Sequence, residues 1–272
     1  MNILYQKITN RIHEIRFWKR FDNFWDILTR SIAARYRMVG LYDLESGPVI
    51  VDRAAADPNG IWACLFWWEY EGAITVLEDL FSNTKSLGIL DCGANIGGFG
   101  LLLTSRGVKI REYHAVEMNP RTFGRLAYNL TNWRTQLPAK VTNAALADQE
   151  GWVKINDSFG DDSQSLFAQA QKDGDSGQVW VQKTTFHTLL DASQWKNGLP
   201  ELIKLDVEGA EFDAIYQLDR KLLSGTTAIV MEVHGNRSLP ASGLIDHLES
   251  LSFECILRPQ AEWGVYVFRS QK

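Results

Sequence analysis

The sequence predicts an α/β fold: a mostly parallel sheet with helices on both faces, entered through an N-terminal helical arm. Three observations carry this. Strand and helix patterns alternate from residue 88 onward, the order that builds a parallel sheet with crossover helices. A buried apolar strand breaks at Asp91 into a glycine-rich turn and re-enters as a helix. Before either, apolar residues recur every three to four positions at Ile8, Ile12, Ile15, Trp18, Phe21, Trp25, Leu28 and Ile32, one stripe of an amphipathic helix.

Taken in order, residues 1–70 read as the arm and a connector, and residues 71–272 as the main domain. The connector carries Gly40, Gly47, Pro48, Pro58 and Gly60 around a short strand at 48–51, followed by an aromatic helix start at 61–70. Strands are expected at 88–91, 113–117, 141–146, 153–155, 202–206 and 228–233, with helices at 96–105, 120–130 and about 210–222. Gly107 closes the first of these helices, and Asn119-Pro120 opens the second with a cap and a first-turn proline. Residues 254–258 and 263–269 form an antiparallel hairpin at the sheet edge, and 169–178 is a polar surface loop.

The 28 Lys and Arg against 33 Asp and Glu give a net charge of -5, which argues against nucleic acid as a partner. Residues 1–37 depart from that balance with eight basic and three acidic side chains. The arm therefore packs on the domain or on a second subunit as a homodimer, or makes peripheral membrane contact. Three scattered cysteines form neither a zinc knuckle nor a disulfide framework. With no transmembrane span and no apolar signal core, a cytoplasmic protein is expected, and the sequons at Asn129, Asn156 and Asn236 are chance matches.

The chemistry concentrates at strand ends. In Asp91-Cys-Gly93-Ala-Asn95-Ile-Gly97-Gly98, glycines let backbone approach a ligand, while a helix N-terminus offers its amides. A dinucleotide site shows G-x-G-x-x-G for a pyrophosphate; here Asp91 precedes the first glycine, repelling a diphosphate and attracting an ammonium. That favours S-adenosylmethionine over NAD. Glu117 ends the next strand 20 residues after Gly97, where an acid accepts ribose hydroxyls. Asp148, after the third strand, is a candidate acceptor for an adenine amino group. The run Lys204-Leu-Asp206-Val-Glu208-Gly-Ala-Glu211 and the strand end Met231-Glu232-Val-His234 bring acids and an imidazole to the same rim, with Glu211 read as a structural first-turn acid.

These four segments together resemble the FkbM family of methyltransferases, over residues 85–235. The resemblance implies a class I, Rossmann-like sheet of seven strands, S-adenosylmethionine as cofactor, and O-methylation of sugar or natural-product hydroxyls. The stretch from Gly160 to Leu166 is similar to the family's loop ahead of the acidic run, but longer.

Methyl transfer from a sulfonium is an in-line displacement, demanding alignment of the acceptor oxygen and removal of one proton. The expected division of labour gives Asp91, Gly93, Asn95, Gly97, Glu117 and Asp148 to the cofactor. His234 is the base, with Asp206 and Glu208 positioning a small-molecule or glycan acceptor. An ordinary imidazole titrates near pH ~6.5 and accepts protons at neutrality. A metal-assisted variant sets Asp206, Glu208, Glu232 and His234 around Mg²⁺ or Mn²⁺. Two readings compete: an NAD-dependent oxidoreductase, and a non-catalytic module that binds S-adenosylmethionine.

Overall fold

The structure is a computed structural model and describes residues 39–44, 47–52, 70–133, 137–156, 178–235 and 240–271, with Trp25, Ile61 and Cys64. The arm at 4–32, apart from Trp25, most of 61–70, the loop at 169–177 and the segment 160–166 lie outside the described residues.

The described elements begin with a two-stranded antiparallel ribbon, β1 (Val39–Leu44) and β2 (Gly47–Asp52), and helix α1 (Glu71–Leu80). Then come β3 (Leu87–Cys92), α2 (Gly98–Ser105), β4 (Ile110–Glu117), α3 (Pro120–Asn132) and β5 (Ala139–Leu146). Next are β6 (Gly151–Asn156), β7 (Gln178–Thr184), the single turn α4 (Phe186–Leu189), β8 (Leu202–Leu205), α5 (Glu211–Ile215) and β9 (Ala228–Val233). Helix α6 (Ala241–Ser250) and strands β10 (Phe253–Leu257) and β11 (Gly264–Ser270) complete the fold.

The main sheet has nine strands in the order β10-β11-β9-β8-β3-β4-β5-β7-β6. The expected count of seven is corrected: β6 and β7 add an antiparallel pair beyond β5, with β7 running parallel to it. Strand β7 escaped the sequence reading, and Gln178, assigned there to a loop, begins it. The hairpin β10–β11 does close the other edge, β11 lying antiparallel to β9. The helix expected over 210–222 is shorter. After Ile215 the Asp219 carboxylate accepts the Leu222 amide at 2.7 Å, a local turn that replaces a continuing helical ladder.

Side-chain alternation along the central strand divides the core in two. Ile89 faces a layer built from α1, α2, α3 and the ribbon; Leu90 and Cys92 face one built from α4, α5 and α6. All six residues of β3 are buried, as a strand covered on both faces requires. Asn129 of α3 locks the ribbon on. Its side chain accepts from Ile50 N at 2.7 Å and donates to the carbonyls of Ile50 and Ile96 at 3.2 and 3.0 Å. The asparagine of this sequon is fully buried.

From β3 the chain proceeds outward through β4 to β5, then returns to the opposite side of β3 as β8 and β9. Strand order therefore reverses between β3 and β8, and in an open parallel sheet ligands bind beyond the carboxyl ends at that reversal.

Candidate active site at the sheet reversal

The turn after β3 is held from both neighbouring strands. The amides of Gly93 and Ala94 donate to the Val116 carbonyl at 2.9 and 3.0 Å, and Asp206 N donates to Cys92 O at 3.0 Å. Gly93 has φ +75°, and a Cβ there would stand 1.6 Å from the Asp206 carbonyl oxygen, so only glycine fits. Gly97 (φ +98°) also lies in the left-handed region, immediately before α2. Asn95 adopts φ 49° without being glycine, its side-chain oxygen accepting from Ile96 N at 2.7 Å. Strained backbone of this kind concentrates where ligands bind.

Glu117 sits partly exposed at the end of β4 and draws the turn toward it, accepting from Asn95 N at 2.9 Å and Asn119 N at 2.8 Å. Burial pushes its carboxyl up to about 7, against the opposing pull of the Asn119 and Asn95 amides. Asn143 on β5 donates to the carbonyls of Glu117 and Met118, which fixes the strand end. Asp148 is exposed in the turn after β5.

Asp91 stands differently from the direct ligand contact expected of it. It is 0% exposed, its carboxylate accepting from the Tyr113 hydroxyl and lying 3.5 Å from the Lys204 ammonium. Lys204 balances its charge and donates to Gly93 O at 2.8 Å and to Asp206 Oδ2 at 2.9 Å. Burial works to lower the Lys204 pKa, but Asp206 and Asp91 outweigh it and hold the ammonium charged. A lysine inside the apolar run Ile203-Lys204-Leu205 was the signal for this role, because a buried cation requires paired acids.

Beside the turn, Asp206, Glu208, Glu211, Glu232 and His234 converge. Glu211, buried at 0%, accepts from the Gly209 amide at 2.7 Å and the His234 amide at 2.9 Å, and lies 3.3 Å from His234 Nδ1. Read from sequence as a structural first-turn acid, it holds that place in α5 and also braces the imidazole. His234 Nε2 then faces Glu208 at 3.4 Å and Asp206 and Glu232 at 3.6 Å each. Burial would lower this imidazole, but its hydrogen bond to Glu211 and the charges of Asp206 and Glu208 outweigh it, pushing the pKa up to about 9. The expectation of an ordinary imidazole, neutral near pH 7, is thereby corrected: the ring keeps its proton amid four carboxylates. For Asp206, burial works upward, but Lys204 and His234 hold it below the usual carboxylate range.

Tyr70, absent from the sequence-derived set, closes the cluster from the α1 side. Its hydroxyl lies 2.8 Å from Glu232 Oε2 and 3.1 Å from Asp206 Oδ2, and its ring packs edge-on against Phe99 of α2. Burial first, then the charges of Asp206 and Glu232, raise its pKa well above the ordinary value, so the hydroxyl stays protonated. Among the described residues, no helix is long and apolar enough to cross a membrane.

The arrangement sets a turn with two left-handed glycines, a carboxylate at the end of the next strand and an anionic wall beside them. Comparisons with known proteins bear on it. Among solved structures, the chain is similar to methyltransferase FkbM from Methylobacillus flagellatus KT, with 17% identity, TM-score 0.47, and coverage of 68% of this chain and 43% of that one. It is similar to WbdD co-crystallised with the kinase inhibitor LY294002, with 12% identity, TM-score 0.45, and coverage of 77% and 42%. It is also similar to magnesium protoporphyrin IX methyltransferase from Synechocystis PCC 6803 with bound SAM, with 9% identity, TM-score 0.40, and coverage of 76% and 81%. The chain thus spans under half the length of the first two. No curated protein matches its sequence. The model of the methyltransferase FkbM domain matches residues 91–255, well over half of the 272, taking in the glycine turn, Glu117 and the whole His234 cluster, and so the chain belongs to the FkbM methyltransferase domain family.

Proposed function

We propose that the chain is an S-adenosylmethionine-dependent O-methyltransferase acting on a hydroxyl of a sugar, glycan or natural product. The observation that carries this is the link between turn and cluster: Lys204 holds Gly93 O and Asp206 together, so the cofactor cradle and the anionic wall form one rigid unit. When bound, S-adenosylmethionine supplies a methyl on a sulfonium, whose S–C bond breaks as the O–C bond forms, the electron pair staying on sulfur.

The chain's own residues do the rest. The turn at Gly93, Asn95 and Gly97 receives the methionyl part, with Asp91 acting from behind through Lys204. Glu117 accepts the ribose hydroxyls, and Asp148 accepts a hydrogen bond from the adenine amino group. Asp206 and Glu208 accept a hydrogen bond from the acceptor hydroxyl and orient its lone pair toward the methyl carbon. Its proton passes to one of these carboxylates, whose charge the protonated His234 held by Glu211 offsets. Residues 71–272 form the catalytic domain in this reading and 1–70 its arm and connector. The protein works in the cytoplasm, and the arm provides for dimerisation or peripheral membrane contact.

Calorimetry with S-adenosylmethionine and with NAD tests the cofactor. Tight NAD binding with no response to S-adenosylmethionine would overturn the reading. His234→Ala should cut transfer to a glycan acceptor at least tenfold while leaving cofactor affinity within a factor of two. Equal turnover in the variant would remove His234 from the reaction, and cofactor binding with no product from any hydroxyl acceptor would favour a non-catalytic module.

A further inference from the structure

We infer that Asp206, Glu232 and His234 form a binding site for a divalent first-row transition-metal cation, of which Mn²⁺ is the probe. The argument rests on how each side chain is held. Glu211 takes the amide and Nδ1 side of His234, which leaves Nε2 directed into the cluster, where a bound cation replaces the Nε2 proton and releases it to solvent. Tyr70 and Lys204 engage Oδ2 of Asp206, and Tyr70 engages Oε2 of Glu232. The inner oxygens, Asp206 Oδ1 and Glu232 Oε1, each lie 3.6 Å from Nε2. Three donor atoms on three different backbone positions thus converge within 4.8 Å of one another, held from outside by Glu211, Lys204 and Tyr70, the last shared by both carboxylates.

Their spacing fits a shared cation better than direct bonds. A separation of 3.6 Å exceeds the 2.7–3.2 Å of an N–H···O bond. Donors around an octahedral ion with bonds of ~2.1 Å stand roughly 3 Å apart along an edge, so a small rotation of each side chain closes the set. An imidazole beside two carboxylates selects a transition-metal dication over Mg²⁺, which prefers oxygen alone. A histidine ligand whose second nitrogen is held by a carboxylate is the usual outer-shell arrangement of such sites, and Glu211 provides it. Three protein donors leave the other positions of an octahedral ion to water or an acceptor oxygen. A hydroxyl entering there would be polarised and aligned; this last role rests on the transfer reading above, whereas cation binding does not.

Titration of the full chain with MnCl₂, followed by electron paramagnetic resonance in the absence of S-adenosylmethionine, tests the site. Saturable binding of one Mn²⁺ per chain is expected, weakened at least tenfold in Glu232→Gln and in His234→Gln, with Mg²⁺ a poor competitor. Glu254→Gln, which removes an exposed partner of Arg269 on β10, should bind as the parent does. Thermal melts establish that each variant is folded. No saturable binding up to millimolar Mn²⁺, or equal binding by folded Glu232→Gln and His234→Gln, overturns the proposal. S-adenosylmethionine affinity measured in chelator separates the two readings: retained there without any Mn²⁺ site, it sinks the cation site and spares the transfer reaction.

Discussion

The ammonium of Lys204 donates to the carbonyl oxygen of Gly93 across the junction of β8 and β3, at 2.8 Å. The same nitrogen lies within 3.5 Å of both Asp91 and Asp206, so one buried cation balances two carboxylates while pinning the turn. Replacing it with a methyl-terminated chain of similar length leaves those acids without their counter-charge. Lys204→Met should lose about 3–5 kcal/mol of stability, measured by denaturant unfolding. Adding Asp206→Asn should restore part of that loss, because the second change removes one of the stranded charges. A Lys204→Met protein as stable as the parent would show that the ammonium is not the keystone.

Glu117 gives the pH dependence of cofactor binding. Burial raises its carboxyl to about 7, so it is protonated below that value and ionised above it. Ribose hydroxyls are donors and need the ionised acceptor. S-adenosylmethionine affinity should therefore rise as pH passes from 6 to 8, severalfold in calorimetric titrations. Glu117→Gln should bind weakly and with no step in that window; a step surviving in the variant assigns it elsewhere.

The sequence made the site's address legible but not its wiring. Gly93, Glu117, Asp206 and His234 stand at strand ends, and strand ends can be found from apolar periodicity and turn residues. Lys204, Glu211 and Tyr70 act through distant partners, Tyr70 at a separation of 136 residues from Asp206, and no local pattern encodes such pairings. The imidazole's titration is a second case, since it depends on how many carboxylates surround it rather than on its neighbours in sequence. In the fold, β7 carried an alternating Val179-Trp180-Val181-Gln182 signal and α6 a helical spacing at Leu244, Ile245 and Leu248, both passed over beside stronger motifs. The shortened α5 turned on one side-chain bond from Asp219, where propensity alone favoured a longer helix.

Gly93 and Gly107 separate steric from conformational constraint. Both have positive φ, +75° and +78°, but a Cβ at Gly93 meets the Asp206 carbonyl whereas one at Gly107 meets nothing within 4 Å. Gly107→Ala should cost about 1–2 kcal/mol from backbone strain alone. Gly93→Ala must also move β8 away from β3 and should cost more than ~4 kcal/mol, or fold with no measurable cofactor affinity. Paired melting curves and S-adenosylmethionine titrations check the contrast, and similar losses at both positions would contradict the close approach at Gly93.

Asn129 tests how the ribbon is attached. Its amide satisfies both polar groups of the Ile50 backbone and the carbonyl of Ile96, so it ties β2 to α3 and to the residue that enters α2. Asn129→Leu keeps the branched skeleton but strands three backbone groups, each costing about 1–3 kcal/mol if water cannot reach it. The ribbon can relieve that penalty by lifting away from α3 and exposing Tyr42, Val49 and Val51, which now lie in the core on that face. Hydrogen exchange should then speed up at the Ile50 amide by at least a hundredfold, while the amides of β3 and β8 change less. Uniform acceleration across the sheet would mean that ribbon and sheet unfold as one unit, and unchanged exchange at Ile50 would show that apolar packing alone seats the ribbon.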